Sequence, residues 1–271
     1  MNETQILTAF VCCWLAVLGA VLGSFLDCAA SRWAAGSGDL FAGRSRCDSC
    51  GHTLGVTDLI PVFSFLLRRG KCKYCGAKIP ADCLWAELSG ALGLACVGLR
   101  FAPALELGHG HLHIGPTLAL VQWVIFAVLL LALSLTDAAK RIIPDKLLLA
   151  LAVNRLCWFF AVETDYAAAG LEILKACAIP AVLLALVLAM EKLSGREMMG
   201  GGDVKLLFAL ALYLTWAQLL LTLLAGCLLG LLWVGLSRKR GPLAFGPFLA
   251  AGALLAVCFG GPLLDWYFAL F

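Results

Sequence analysis

The chain has 271 residues, of which 62% are hydrophobic and 14% charged, with a mean hydropathy of +0.96 and a formal net charge of +3. A water-soluble domain of this length does not need so much apolar surface, because most of its elements keep one polar face. The small positive charge is accounted for by a few basic turns and does not call for a nucleic-acid partner.

Apolar runs lie at about 6–26, 84–101, 116–136, 146–163, 170–190, 205–213, 216–236 and 246–270. Most approach or exceed the ~18 residues of a membrane span. Run 205–213 is short and reads as a tilted, partial or fused element. Lipid forces each span to satisfy its own backbone polar groups, which makes helices the solution. The expected fold class is an all-α polytopic membrane protein of about eight transmembrane helices, carrying a zinc-bound cytoplasmic loop module. Its parts are a first span over 1–30, the loop module over 31–83 and a helical bundle over 84–271.

The first run follows Met1-Asn-Glu-Thr-Gln, which lacks the positive segment of a cleaved signal peptide, so it reads as an anchor. It closes on Gly23-Ser-Phe-Leu-Asp27-Cys-Ala-Ala-Ser31-Arg32. Small residues there permit close helix contact. Packing with an interfacial anchor, or a role in binding substrate, explains the motif equally well.

The polar insertion at 31–83 is entered through Gly36-Ser-Gly38 and carries Cys47-Asp-Ser-Cys50-Gly and Cys72-Lys-Tyr-Cys75-Gly. Two C-x-x-C turns about twenty residues apart have the spacing of a four-thiolate zinc site. Gly51 and Gly76 allow tight turns that aim amides at the sulfurs. Four protein ligands leave no open position on the ion, so the zinc would be structural. The metal would stabilise a loop too small to build its own core. The alternative is redox-active or merely free thiols. The remaining cysteines of the 13 lie mostly in apolar runs and read as small packing residues. Between the two turns, Thr57-Asp-Leu-Ile-Pro61-Val-Phe-Ser-Phe-Leu-Leu67 is amphipathic. It suits either the membrane surface or a small packed core beneath the zinc turns.

Further on, His109-Gly-His111-Leu-His113 has the types for a metal but reads as a solvated loop. Basic residues fall in every second loop: Arg32 to Lys78, then Lys140, Arg141 and Lys146, then Lys192, Arg196 and Lys205, then Arg238 to Arg240. The turns around 102–115 and 164–169 contain no Lys or Arg. Positive loops stay cytoplasmic, so the amino terminus is expected outside, with the cysteine loop and the second and third basic turns inside.

Those two turns carry the candidate chemistry. Asp137 ends one apolar run in Ser134-Leu-Thr-Asp137-Ala-Ala-Lys140-Arg141-Ile-Ile-Pro144-Asp145. Asp203 begins another after Gly200, Gly201 and Gly202. Ionisable groups at such depth are costly and usually mark a functional site. Two carboxyls that meet share a proton, so one can activate water while the other protonates a substrate carbonyl. The competing reading is a pair of interfacial ion pairs with Lys140, Arg141 or Lys205. Asp145 competes with Asp137 as the partner, but after Pro144 it reads as an ordinary acidic helix start. Gly241-Pro-Leu-Ala-Phe245-Gly246-Pro247-Phe248 reads as a turn before the last run, in preference to a loop shaping the mouth of a site.

Taken together, Gly23-Ser-Phe-Leu, the paired cysteine turns, Asp137 through Pro144-Asp145, Gly202-Asp203-Val-Lys205-Leu and Phe245-Gly-Pro-Phe248 resemble the bacterial type IV prepilin peptidases. The resemblance runs in the family's order over nearly the whole chain. It implies a multi-pass protein of the bacterial inner membrane that cuts the basic leader from prepilins or pseudopilins after a glycine. It also implies N-methylation of the new amino terminus with S-adenosylmethionine. On this resemblance Asp137 and Asp203 are the catalytic pair, and Cys47, Cys50, Cys72 and Cys75 map onto the cysteine-bearing loop. The expected partners are the precursor and the lipid bilayer. No glycine-rich S-adenosylmethionine loop occurs in the sequence. The alternatives are a peptidase without methyl transfer and a transporter using the aspartates as a proton relay.

Overall fold

The computed structural model describes residues 3–36, 44–47, 49–105, 107–108, 111–112, 114–162, 165–195, 199–237 and 243–270. His109 and His113 of the histidine cluster, the basic residues Arg196 and Arg238 to Arg240, Ser37-Gly38 and Gly241-Pro242 lie outside them. Contacts divide the chain into two compact units, Met1–His113 and Ile114–Phe271.

In the first unit, α1 (Glu3–Ala34) and α3 (Ala81–Phe101) are long apolar helices, and α2 (Phe63–Leu67) is a single short turn between them. Helices α1 and α3 run antiparallel, with Gly19 against Gly90 and Gly23 against Ala86. A Cβ at either glycine would strike the facing carbonyl oxygen. The glycine of the Gly-Ser-Phe-Leu motif therefore serves close backbone packing, which in lipid is the main source of helix association. Two-residue strands β1 (Leu107–Gly108) and β2 (His111–Leu112) pair antiparallel after α3.

The second unit contains α4 (Ile114–Lys140), α5 (Asp145–Val162), α6 (Tyr166–Ser194), α7 (Gly201–Ala211), α8 (Trp216–Ser237) and α9 (Gly246–Phe268). The chain is thus nearly all helical, and each of the eight apolar runs falls on a helix. Among the described residues six helices, α1, α3, α4, α6, α8 and α9, are long and apolar enough to cross a membrane. The expectation of about eight spans is not met by that measure. Helix α5 carries Asp145, Lys146 and Arg155 within its 18 residues. Helix α7 has 11 residues, a length of about 16 Å against a hydrocarbon core of about 30 Å.

Short as it is, α7 sits at the centre of its unit. Val204, Leu206, Leu207, Ala209, Leu210 and Ala211 are all buried, in contact with α5, α6, α8 and α9. Phe126, Leu130 and Leu133 of α4, Leu151 of α5, Leu219 of α8 and Leu249 of α9 complete this core. Helix α6 shows the opposite pattern: only 11% of its apolar window is buried, so its hydrocarbon faces outward, as a lipid-facing span requires. Enclosing α7 on several sides fixes where its first turn, and so Asp203, can lie.

Candidate active site

Asp137 sits in the last turn of α4 and is 5% exposed. Its carbonyl accepts the Arg141 amide at 2.6 Å, and Arg141 ends the helix with φ +57°. The neighbouring hydroxyls are occupied locally. Ser134 donates to the Leu130 carbonyl at 2.7 Å and Thr136 to the Ala132 carbonyl at 3.0 Å. Neither is presented as a nucleophile, which leaves the carboxylate as the reactive group of this turn.

Asp137 Oδ2 accepts the Gly246 amide at 2.9 Å across the unit. Gly246 is the first residue of α9, where amides have no partner inside the helix and carry its partial positive charge. A carboxylate placed there is a matched anion. The Phe245-Gly246-Pro247-Phe248 motif is thus a helix start, and its first amide also belongs to the aspartate site. The turn reading of the sequence missed this. The available signal was a glycine followed by proline at a helix start, the pattern of an open anion-binding terminus.

Asp203 is the third residue of α7 and is partly buried. The glycines before it have a steric role: a Cβ at Gly202 would lie 3.2 Å from Cβ of Ile143. Ile143 is 8% exposed and belongs to the turn that follows Asp137. The start of α7 therefore rests directly on the turn that ends α4, which seats the Asp203 turn against the turn that follows Asp137. Burial first, and the Asp137 charge second, push the Asp203 carboxyl up to about 6.

Of the competing cations, Lys205 takes another partner. Lys205 Nζ bonds Asp145 Oδ1 at 2.8 Å, and both side chains are largely exposed. An exposed pair of this kind adds little stability. It does couple the starts of α5 and α7, and it leaves Asp145 facing Lys205, outside the aspartate pair.

In the other unit, Cys47, Cys50, Cys72 and Cys75 place their sulfurs within 4.8 Å of one another. The two turns are local copies. Arg46 bridges Thr53 and Lys71 bridges Lys78, while Gly51 and Gly76 both adopt positive φ. Amides of Cys50 and Ser49 directed at the Cys47 sulfur lower that thiol to about 7. A tetrahedral ion about 2.3 Å from each sulfur sets sulfur pairs about 3.8 Å apart, and Cys47 and Cys75 are separated by 3.8 Å. The donor set therefore fits a zinc ion. None of the 13 cysteines, all of them among the described residues, forms a disulfide.

Comparison with known proteins gives these two sites a common context. The Bacterial Peptidase A24 N-terminal domain matches residues 17–101, which include the cysteine turns. The Type IV leader peptidase family matches residues 124–235, which include both aspartates. A prepilin leader peptidase/N-methyltransferase of Aeromonas hydrophila is 34% identical over 86% of this chain and 77% of its own length. The protein of the same description from Bacillus subtilis (strain 168) is 33% identical over 93% of this chain and 96% of its own. One from Burkholderia pseudomallei (strain 1026b) is 32% identical over 91% and 84%. No solved structure matches the chain. Covering most of each relative at this identity, the chain belongs to the type IV leader peptidase family.

Proposed function

We propose that this protein is a membrane aspartic endopeptidase that removes the basic leader of type IV prepilins or pseudopilins after a glycine and then N-methylates the new amino terminus. What supports the reading is the seating of the Asp203 turn on the turn that follows Asp137, with the Gly246 amide on Asp137 alone. That asymmetry divides the work. Asp137, facing a helix amino terminus, is the ionised member and takes a proton from water. The resulting hydroxide attacks the scissile carbonyl. Asp203 carries the shared proton and delivers it to the carbonyl oxygen. Collapse of the tetrahedral intermediate breaks the C–N bond as the proton gained by Asp137 passes to the leaving amine and Asp203 takes back a hydroxyl proton, which restores the pair.

The precursor's apolar stem lies among the spans while its basic leader stays in the cytoplasm, which sets the cut at the interface. This requires an inner-membrane protein with its amino terminus outside, and both aspartates and the 31–83 module on the cytoplasmic face. Cys47, Cys50, Cys72 and Cys75 hold a structural zinc that stabilises the module and enters no chemical step. S-Adenosylmethionine is the methyl-donating co-substrate. When bound, it would supply a methyl group to the released amine, which would give up one proton to solvent.

The test is mass spectrometry of a prepilin incubated with the detergent-solubilised protein and S-adenosylmethionine, beside Asp137→Asn and Asp203→Asn. Leader loss plus one methyl in the parent, with neither variant able to cleave, is the expected result. Wild-type cleavage by either variant overturns the aspartic mechanism. Leader loss without methylation removes the transferase half.

A further inference from the structure

The segment between the two cysteine turns is inverted relative to a soluble loop. Val56, Leu59, Ile60, Phe63, Leu66 and Leu67 are between 42% and 82% exposed. No residue of the turn at Val56–Asp58 or of α2 is buried. The polar groups point inward instead. The Asp58 side chain is 2% exposed and pairs with Arg68. It also accepts the Gly55 amide at 3.0 Å and the Tyr74 hydroxyl at 3.2 Å. A packed core beneath the cysteine turns, one of the two arrangements open from sequence, would have put this hydrocarbon inside. A contiguous exposed apolar face of this kind marks a contact surface.

The height of that face is set by one hydrogen bond. The Val62 amide donates to Glu87 Oε2 at 2.6 Å, and Glu87 is 5% exposed. Glu87 lies on α3, six residues past its start at Ala81, or about 9 Å along the axis. It falls within the candidate span Ala81–Ala104, and the preceding Trp85 is 60% exposed on the outside of the helix. Val62 itself has φ +62°, and the Phe63 amide bonds the Pro61 carbonyl at 2.6 Å. This is the strained hand of the γ-turn, rare for a β-branched residue, and the bond to Glu87 holds it. The apolar face is thereby held at the level where α3 enters lipid. Arg69, Lys71, Lys73 and Lys78 follow it in sequence and are exposed.

We infer that residues 56–67 form an interfacial membrane foot whose apolar face inserts into the leaflet on the loop's side, with the neighbouring cations meeting anionic lipid headgroups. Lipid is the occupant because the foot is fixed beside a span already in lipid and is followed by positive charge. The inference rests on α3 as a span and is independent of the aspartate chemistry. The foot supports the cysteine module against the bilayer, where a loop without an apolar interior gains its second support after the metal.

The experiment places p-benzoylphenylalanine at Phe63, and in a second variant at Leu67, in the full chain. Each protein is reconstituted in nanodiscs of phosphatidylcholine with and without phosphatidylglycerol, with and without prepilin, and irradiated. Lipid adducts at both positions, increased by phosphatidylglycerol and unaffected by prepilin, are expected. Adducts to prepilin in place of lipid, or no lipid adduct at either position, overturn the inference. The readout is lipid contact, so it stands or falls separately from proteolysis.

Discussion

The Gly246 amide donates to Asp137 Oδ2 at 2.9 Å, and a methyl group at position 246 would lie 2.7 Å from that same oxygen. The glycine thus supplies a donor and also the space in which the carboxylate receives it. Gly246→Ala forces the short, buried Asp137 side chain to rotate away from its position. Cleavage is expected to fall at least about 10²-fold, since misplacing a catalytic group by about 1 Å costs that much. Expression and zinc content should stay at parental values. Single-turnover cleavage beside metal analysis separates this outcome from misfolding, and a Gly246→Ala protein of near-parental rate would remove the amide from the site.

Asp203 gives a signed pH dependence. Its carboxyl is raised to about 6 by burial and then by the Asp137 charge, against an unfolded value of about 3.9. A group raised on folding favours the folded state while protonated. That contribution is complete below about 3.9 and is lost as pH rises through about 6. The thermal midpoint of the parent should therefore decline across this window, and Asp203→Asn should decline less and unfold at a higher temperature near neutrality. The proton-donating form disappears over the same range, so kcat/KM should have a descending limb near pH 6. A profile flat from about pH 5 to 8 would contradict the assigned role.

At the far end of α7 a polar clamp ties the helix to α5. Tyr213 Oη donates to the Leu151 carbonyl at 2.6 Å and accepts from Asn154 Nδ2 at 2.9 Å. Arg155 Nε donates to the Leu212 carbonyl at 2.8 Å, and Trp158 Nε1 to Asn154 Oδ1 at 2.9 Å. Tyr213→Phe removes the hydroxyl and strips the Asn154 amide of its acceptor there. Leaving a buried donor unpaired costs about 1–3 kcal/mol. A lower thermal midpoint in detergent, with cleavage reduced far less than in the aspartate variants, is the expected pattern.

The four sulfurs within 4.8 Å predict a bound metal. Purified protein should hold about one zinc per chain, and Cys47→Ser with Cys72→Ser should hold none. Because Cys47 and Cys72 come from different turns, losing both leaves one thiolate per turn, too few for a structural site. Atomic absorption on the pair decides the matter, and full zinc retention would exclude the four-thiolate arrangement.

What the sequence determined by itself was whatever depends on near neighbours. Each of the eight apolar runs gave a helix among the described residues, and the two C-x-x-C-G spacings gave the cysteine turns, because each is fixed within a few residues by backbone hydrogen bonding and side-chain burial. The aspartates were legible as costly charges at the ends of apolar runs. Tertiary structure decided how those pieces meet. Gly246 lies 109 residues from Asp137 in the chain, and no local pattern carries that distance. The burial of Ile143 against Gly202, which seats α7 on the Asp137 turn, is likewise a packing event. The amphipathic stretch from Thr57 to Leu67 suited both a core and a surface, and only the Val62 bond to Glu87 fixed its level on α3. Periodicity records which face of an element is apolar. What that face touches depends on the neighbours the whole chain supplies.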